Sequence, residues 1–298
     1  MAFSSGSRVQ MAYVAETTFG TTPATPQLVL FPMQSTTLEF VRDNINDPTI
    51  VADRMERDER LGNASSSGNI VTTLQHGQFD DFIEAGMCGT WATNTVKVGT
   101  VNRSFTIEQG FLDVSQYRVF TGVKVNTMEF SMAPNQVVQA TFGLMGAGMS
   151  TASSSLDSTP TALVNKPGLT HLGGTITIAG SPVICTSLSV QVNNNYSTNY
   201  GIGTAAAYGI TYSEQSITGS ATFYFEDLVQ YNRFLNETTA AIAVQCTDGT
   251  NTMTFTIPKA KFMGGQLPVP NSGVLFLTMP FKALYDSVSG TTMSITRS

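Results

Sequence analysis

The sequence predicts a mainly β protein built as two tandem units, each with one short helix. Three observations predict it. TTLEF at 36–40 is echoed by TSLSV at 186–190. A Gly-started alternating run leads into a short helical segment twice, as GNIVTTLQHGQFDDFIEAG at 68–86 and GSATFYFEDLVQYNRFLN at 219–236. APNQVVQATFGL at 133–144 is echoed by VPNSGVLFLTMP at 269–280. The matches keep their order, at offsets of 150, 151 and 136 residues.

The elements follow in chain order. Residues 1–30 are expected as an extended N-terminal arm: MAFSSGSRVQ is small and polar, and Gly20, Pro23 and Pro26 break any longer element. The first unit spans 31–150. Within it Val138, Ala140, Phe142 and Leu144 share one strand face. Around 123–132 the phase slips, since Val123 and Val125 are followed by Met128, Phe130 and Met132. One extra residue near Asn126, a β-bulge, accounts for the slip. Pro134-Asn135 and Pro270-Asn271 read as hairpin turns, because Pro presets φ and Asn tolerates the next position. Residues 151–165, Ser/Thr-rich with Pro160, are the expected linker. The second unit spans 166–290 and 291–298 form a tail. In it Ile217, Gly219, Ala221 and Phe223 alternate with Thr218, Ser220, Thr222 and Tyr224. Helices are expected at Gln78–Ala85, with Phe79, Phe82 and Ile83 on one side, and at Asp227–Asn236, with Leu228, Tyr231 and Leu235 on one side.

Composition narrows the function. Charged residues are 12% of the chain, against about 25% in an ordinary soluble domain. Either much of the surface is buried against other subunits, or Thr, Ser, Asn and Gln carry it. The net charge is 15 − 21 = −6, which argues against a protein that grips nucleic acid by neutralising phosphates. Cys88, Cys185 and Cys246 are widely spaced, without a CxxC pair, so no zinc site or disulfide framework is indicated. No signal peptide and no run of about 18 apolar residues is present, so no membrane contact is expected.

No catalytic constellation stands out, and neither an enzyme nor a cofactor is expected. His76 and His171 each lie near a glycine in turn-like contexts, with no nucleophile elbow nearby. Gly201-Ile202-Gly203-Thr204-Ala205-Ala206 matches a dinucleotide fingerprint only in letters, because polar, turn-prone Asn193–Tyr200 precedes it where a buried strand is needed. Asp80, Asp81 and Glu84 suit a helix start.

One stretch stands apart. Arg42–Arg60 holds Arg42, Asp43, Asp47, Asp53, Arg54, Glu56, Arg57, Asp58, Glu59 and Arg60, ten of the chain's 36 formal charges. The corresponding stretch Asn193–Gln215 carries only Glu214. These ten residues form the candidate site, a loop after the first strand whose mixed signs can set register against a neighbouring subunit or ring.

Three stretches resemble the major tail tube proteins of long, non-contractile-tailed bacteriophages: SRVQMAYVAETTFGTTPATP at 7–26, GVKVNTMEFSMAPNQVVQATFGLMGAGMS at 122–150 and SITGSATFYFEDL at 216–228. The resemblance implies that each unit is a β-sandwich or partly closed barrel flanked by one helix. It also implies rings that stack into a tube in the virion tail, assembled in the host bacterial cytoplasm. The implied partners are other copies of the chain, other tail proteins at the tube ends, and viral DNA passing through during ejection. Six tube domains per ring imply three chains if each supplies two, or six chains otherwise. The lumen is expected to expose Thr, Ser, Gln, Asn and acidic residues with few Lys or Arg. The alternatives are another self-assembling phage β-protein (capsid-decorating, tail-terminator or secretion-tube-like) and a β-sandwich carbohydrate-binding protein or enzyme.

Overall fold

Alternating apolar and polar residues let a strand bury one face, and that pattern governs most of this chain. The computed structural model describes residues 3–50, 52, 53, 55 and 57–298; Arg54 and Glu56 of the charged stretch lie outside the described residues. The first half contains β1 (Val9–Ala15), β2 (Val29–Leu30), β3 (Ser35–Thr36), β4 (Glu39–Asn46), β5 (Glu59–Thr73), helix α1 (Asp80–Met87), β6 (Thr95–Lys97), β7 (Phe105–Phe111), β8 (Gln116–Met132), β9 (Gln139–Gly146) and β10 (Gly148–Ala152). The second contains β11 (Ile176–Ile178), β12 (Ser181–Pro182), β13 (Cys185–Asn193), β14 (Ser197–Asn199), β15 (Gly209–Thr211), β16 (Ser216–Tyr224), helix α2 (Val229–Leu235), β17 (Ala240–Thr247), β18 (Thr252–Phe262), β19 (Phe276–Ala283) and β20 (Ser294–Arg297). The fold is mainly β, as expected, and its large antiparallel sheet does not close into a barrel.

The long sheet runs β4–β5–β9–β8–β13–β16–β19–β18–β17–β11. One strand order therefore occurs twice in it. β4–β5–β9–β8 in the first half is matched by β13–β16–β19–β18 in the second, with a helix between the second and third strands in chain order each time. A second sheet, β2–β1–β7–β8–β10, branches from the first half.

Strand β8 serves both sheets. Its start pairs with β7, while Thr127–Met132 pair with β13. The change of partner needs a bend, supplied by Gly122 at φ +65° and by a bulge between Val125 and Thr127. The extra residue expected near Asn126 is thus present. It also links the halves: its carbonyl accepts the Asn194 N–H at 2.9 Å and its Oδ1 accepts the Tyr196 N–H at 2.9 Å.

The main hydrophobic core runs through both halves, beside a small separate cluster of Cys88, Tyr196 and Ile210. In the first, α1 presents Phe82 and Ile83, fully buried, to the sheet. Phe82 stacks on Phe105 with centroids 5.0 Å apart and meets Tyr13 edge-on at 4.9 Å. Each such ring contributes about 1.5–3 kcal/mol by burial, and aromatic pairing adds about 0.5–1.5 kcal/mol. The Tyr13 hydroxyl donates to Asp81 at 2.9 Å, pinning β1 to the helix. Across the two halves Phe130 of β8 meets Phe255 of β18 with centroids 4.8 Å apart. Burial here contrasts sharply between the helices: α1 has five buried residues, α2 none. Of the expected apolar stripe of α2, Tyr231 packs against the core half-buried, while Leu228 and Leu235 are more than half exposed.

One of the two expected hairpin turns is present and other local features differ from the sequence expectation. Pro134-Asn135 forms a short connection with Asn135 at φ +60°. Pro270-Asn271 instead sits in a 13-residue connection, 263–275, between β18 and β19. The stretch 151–165 begins in β10 and is tied to the first half. Glu108, 5% exposed, accepts from Ser155 and Leu156 at 2.7 Å each, and Asp157 accepts from the Leu28 N–H at 3.0 Å. Within residues 1–30, Val9–Ala15 form a strand with a partner on each side. Glu16 then organises the first half's bend, since its carboxylate accepts from Gly20 N, Ser104 Oγ, Thr106 Oγ1 and Gly122 N at 2.7–2.9 Å.

The β17–β18 turn carries a pH dependence. Asp248 accepts from the Asn251 side chain and from the Asn251 and Thr250 N–H groups, which lower its pKa to about 2. A depressed carboxylate stabilises the fold above its ordinary pKa, and that stability is lost as pH falls towards the folded value. Asp248→Asn is therefore expected to flatten acid unfolding between about pH 4 and 2. Matching wild-type and variant acid-unfolding curves, followed by circular dichroism, would refute this.

Candidate assembly surface

The core-facing side of the long sheet is apolar; its other side is built from small polar residues. Opposite the buried Ile70, Phe142, Phe130 and Val190 lie Asn69, Thr141, Glu129 and Gln191. The second half continues with Thr218, Ser220 and Thr222 on β16 and Thr278 on β19. Thr222 and Thr278 share a hydroxyl hydrogen bond at 3.1 Å. The charged residues on this face are few: Glu39, Glu129, Lys261 and Lys282. Lys261 is paired with Glu237 at 2.7 Å and Glu39 with Arg118 at 2.7 Å. The Thr/Ser/Asn/Gln alternative for the low charge count is realised on this surface.

The charged stretch is a two-stranded ribbon. Arg42 and Asp43 lie in β4, Glu59 and Arg60 in β5, and Asn46 pairs with Glu59 below the tip. Asp47, Asp53, Arg57 and Asp58 occupy the tip. The loop expected over 42–60 is thus strand at both ends, because main-chain pairing continues beyond the core. Arg42 supports it by donating to the Leu61 and Gly62 carbonyls at 3.0 Å. Arg57 pairs with Asp53, and Arg60 with Asp58 at 3.2 Å. The Thr49 hydroxyl and N–H hold the Asp47 carboxyl below its usual pKa. Ribbon residues Val41, Ile45 and Leu61 are more than half exposed, an unusual amount of bare aliphatic surface on an edge strand.

The corresponding segment after β13 behaves differently. It folds back over α1: the Asn194 side chain donates to the Gly86 and Val125 carbonyls at 3.0 Å, and Gln215 donates to Gly86 at 3.2 Å. Buried Lys124 donates to the Ile210 carbonyl at 2.6 Å and lies 5.0 and 5.7 Å from the Phe19 and Tyr196 ring centroids. Burial lowers its pKa. Gly201–Ala206 lies in an exposed turn between β14 and β15, with no helix after it, so the dinucleotide geometry is lacking. Among the described residues no cluster of His, Cys, Asp and Glu has metal-ligand geometry.

Two edge segments went unnoticed in the sequence. The outer edge of β4, with the preceding Thr36–Leu38, has no strand against it among the described residues. Residues Gly264–Val269, beyond β18, pair on one side only, through Gln266 and Thr278. Neither has a compositional signature; only the strand order marks them.

Polar face, bare edges and projecting ribbon define a β-rich structural protein. A family model described as phage tail tube protein matches residues 6–283, and the chain belongs to that family. A search of the curated proteins found no match. Family membership makes it a structural protein of the phage virion, located in the tail. Among the described residues no helix is long and apolar enough to cross a membrane.

Proposed function

We propose that this chain polymerises into stacked rings forming the tail tube, through which viral DNA passes during ejection. Each chain supplies two tube units, 31–150 and 166–290, so three chains close a ring with pseudo-sixfold symmetry. The observation that carries this reading is the strand order repeated within one uninterrupted sheet, in which β8 of the first unit pairs directly with β13 of the second. Two units already joined edge to edge are one third of a six-unit ring. The polar face lines the lumen: hydroxyls and amides remain hydrated, and the scarcity of Lys and Arg leaves phosphates little to bind. Ring stacking uses the charged ribbon of residues 42–60, with other tail proteins capping the tube ends.

Electron microscopy of the purified, assembled chain tests this. Three chains per ring with alternating ribbons are expected. Six chains per ring would overturn the two-unit stoichiometry, and a lumen lined by Lys and Arg would overturn the assignment of the polar face.

A further inference from the structure

The junction between the two halves of one chain supplies a template for the junction between chains. β13 lies on β8 with Val190 opposite Phe130 and Gln191 opposite Glu129. Each partner has a counterpart in the other half. Gly68 lies opposite Leu144, and Gly219 opposite Phe281. Thr36 pairs with Ile70, and Leu188 with Ala221. This register makes Thr36–Val41 the counterpart of Leu188–Asn193. Thr141 pairs with Glu129 on one side, and Thr278 with Gln266, making Gly264–Val269 the counterpart of Thr127–Met132.

Within one chain neither counterpart has a partner on its outer side among the described residues. β18 itself is paired on both sides, and the open side belongs to Gly264–Val269 beyond it. The Leu38 N–H, turned away from β5, is satisfied by the Thr36 hydroxyl at 3.1 Å. Gln266 spends its N–H and carbonyl on Thr278, both at 2.9 Å, so Gly265 and Leu267 face the open side.

The helices carry the same asymmetry. In the first half Gly86 of α1 sits against Met128; in the second, Tyr231 of α2 sits against Gly265, so the corresponding strand position carries a large residue in one half and glycine in the other. The segment after β13 covers α1, whereas α2 leaves Leu228 and Leu235 more than half exposed. The ribbon of β4 and β5 carries the exposed Ile45 and Leu61 that would cover them.

We propose that a second copy of this chain docks residues Thr36–Val41 antiparallel onto Gly264–Val269, with Glu39 opposite Gln266, and lays its ribbon base over α2. The inference rests on the tube reading above and takes it to one strand register. Thr37 already bonds Asn69 of β5, and alternation gives Glu39 the same orientation. Glu39 and Gln266 therefore form a non-hydrogen-bonded pair, with Cα atoms about 4.5 Å apart, within disulfide reach.

A chain carrying both Glu39→Cys and Gln266→Cys, oxidised after assembly, is expected to convert from one-chain to two- and three-chain species on non-reducing gels. Each single variant, containing the same native Cys88, Cys185 and Cys246, should remain one chain. The register control pairs Glu39→Cys with Pro268→Cys and should link more slowly. In wild-type protein, which needs no variant to fold, amide exchange at Leu38, Phe40, Gly265 and Leu267 should slow on assembly. Tubes that form without either signature overturn this register and leave the tube reading standing. Failure of the wild-type chain to assemble at all overturns both.

Discussion

Gly219→Val is expected to destabilise the fold by about 3 kcal/mol, with Gly68→Val close behind. A Cβ at Gly219 would intrude on the Ser189 carbonyl oxygen and the Phe281 ring. At Gly68 it would intrude on the Thr37 carbonyl. In both cases an obstacle is main chain of the laterally adjacent segment, which cannot change rotamer, so that segment must shift and lose ladder bonds. Packing in a close-packed interior leaves little room for such a shift. Urea unfolding measures the effect: midpoints equal to wild type in both variants would show that the sheet does not need this close approach. A large loss at one glycine alone would show that the two positions are not equivalent, despite their matching places opposite Leu144 and Phe281.

Reversing Arg54, Arg57 and Arg60 to Glu is expected to abolish tube formation while leaving the chain folded. The within-chain pairs Arg57–Asp53 and Arg60–Asp58 are solvent-exposed, and exposed pairs are worth about 0.2–1 kcal/mol. Their loss leaves the core untouched, because the ribbon tip lies outside it. Across an interface the same reversal places like charges together at several kcal/mol and changes the ribbon's net charge by six. Sedimentation and microscopy should show folded, unassembled protein. Normal tubes from the triple variant would remove the ribbon from the assembly contacts, and unfolded protein would show that it supports the fold.

How much of this was legible in the sequence depends on the range of the signal. The alternating faces of β9 and β16 were readable, since each needs only its own period-two pattern. So was the bulge at Asn126, because one inserted residue flips the phase of everything after it. The helix positions followed from short apolar stripes, but the fate of those stripes did not. Phe82 is buried by Tyr13, Phe31, Phe105 and Phe142, brought together from separate parts of the first half, while Leu228 and Leu235 remain more than half exposed.

The repeat was readable in outline and shifted in register. The sequence offsets are 150, 151 and 136 residues. The ladders place Thr36 with Leu188, Gly68 with Gly219, and Phe142 with Met279, offsets of 152, 151 and 137. Aligning the two Pro-Asn pairs sets core-facing Phe142 against solvent-facing Thr278, because the connection containing Pro270 is much longer than the one containing Pro134.

The candidate site was half legible. Composition alone singled out the ten charged residues of 42–60, since clustering of charge needs no fold to be seen. Their extension as a ribbon follows from main-chain hydrogen bonding, to which side-chain identity is nearly blind.

The sequence by itself determined the β class, the two helices, the repeated order of elements and the low charge of the exposed strand faces, because each rests on residues near one another in the chain. Only the tertiary structure decided that β8 joins the halves into one sheet and that Thr36–Val41 and Gly264–Val269 are left with an open side. Edge and centre strands can carry the same alternation; what distinguishes them is the presence of a neighbour, which is a property of the whole sheet.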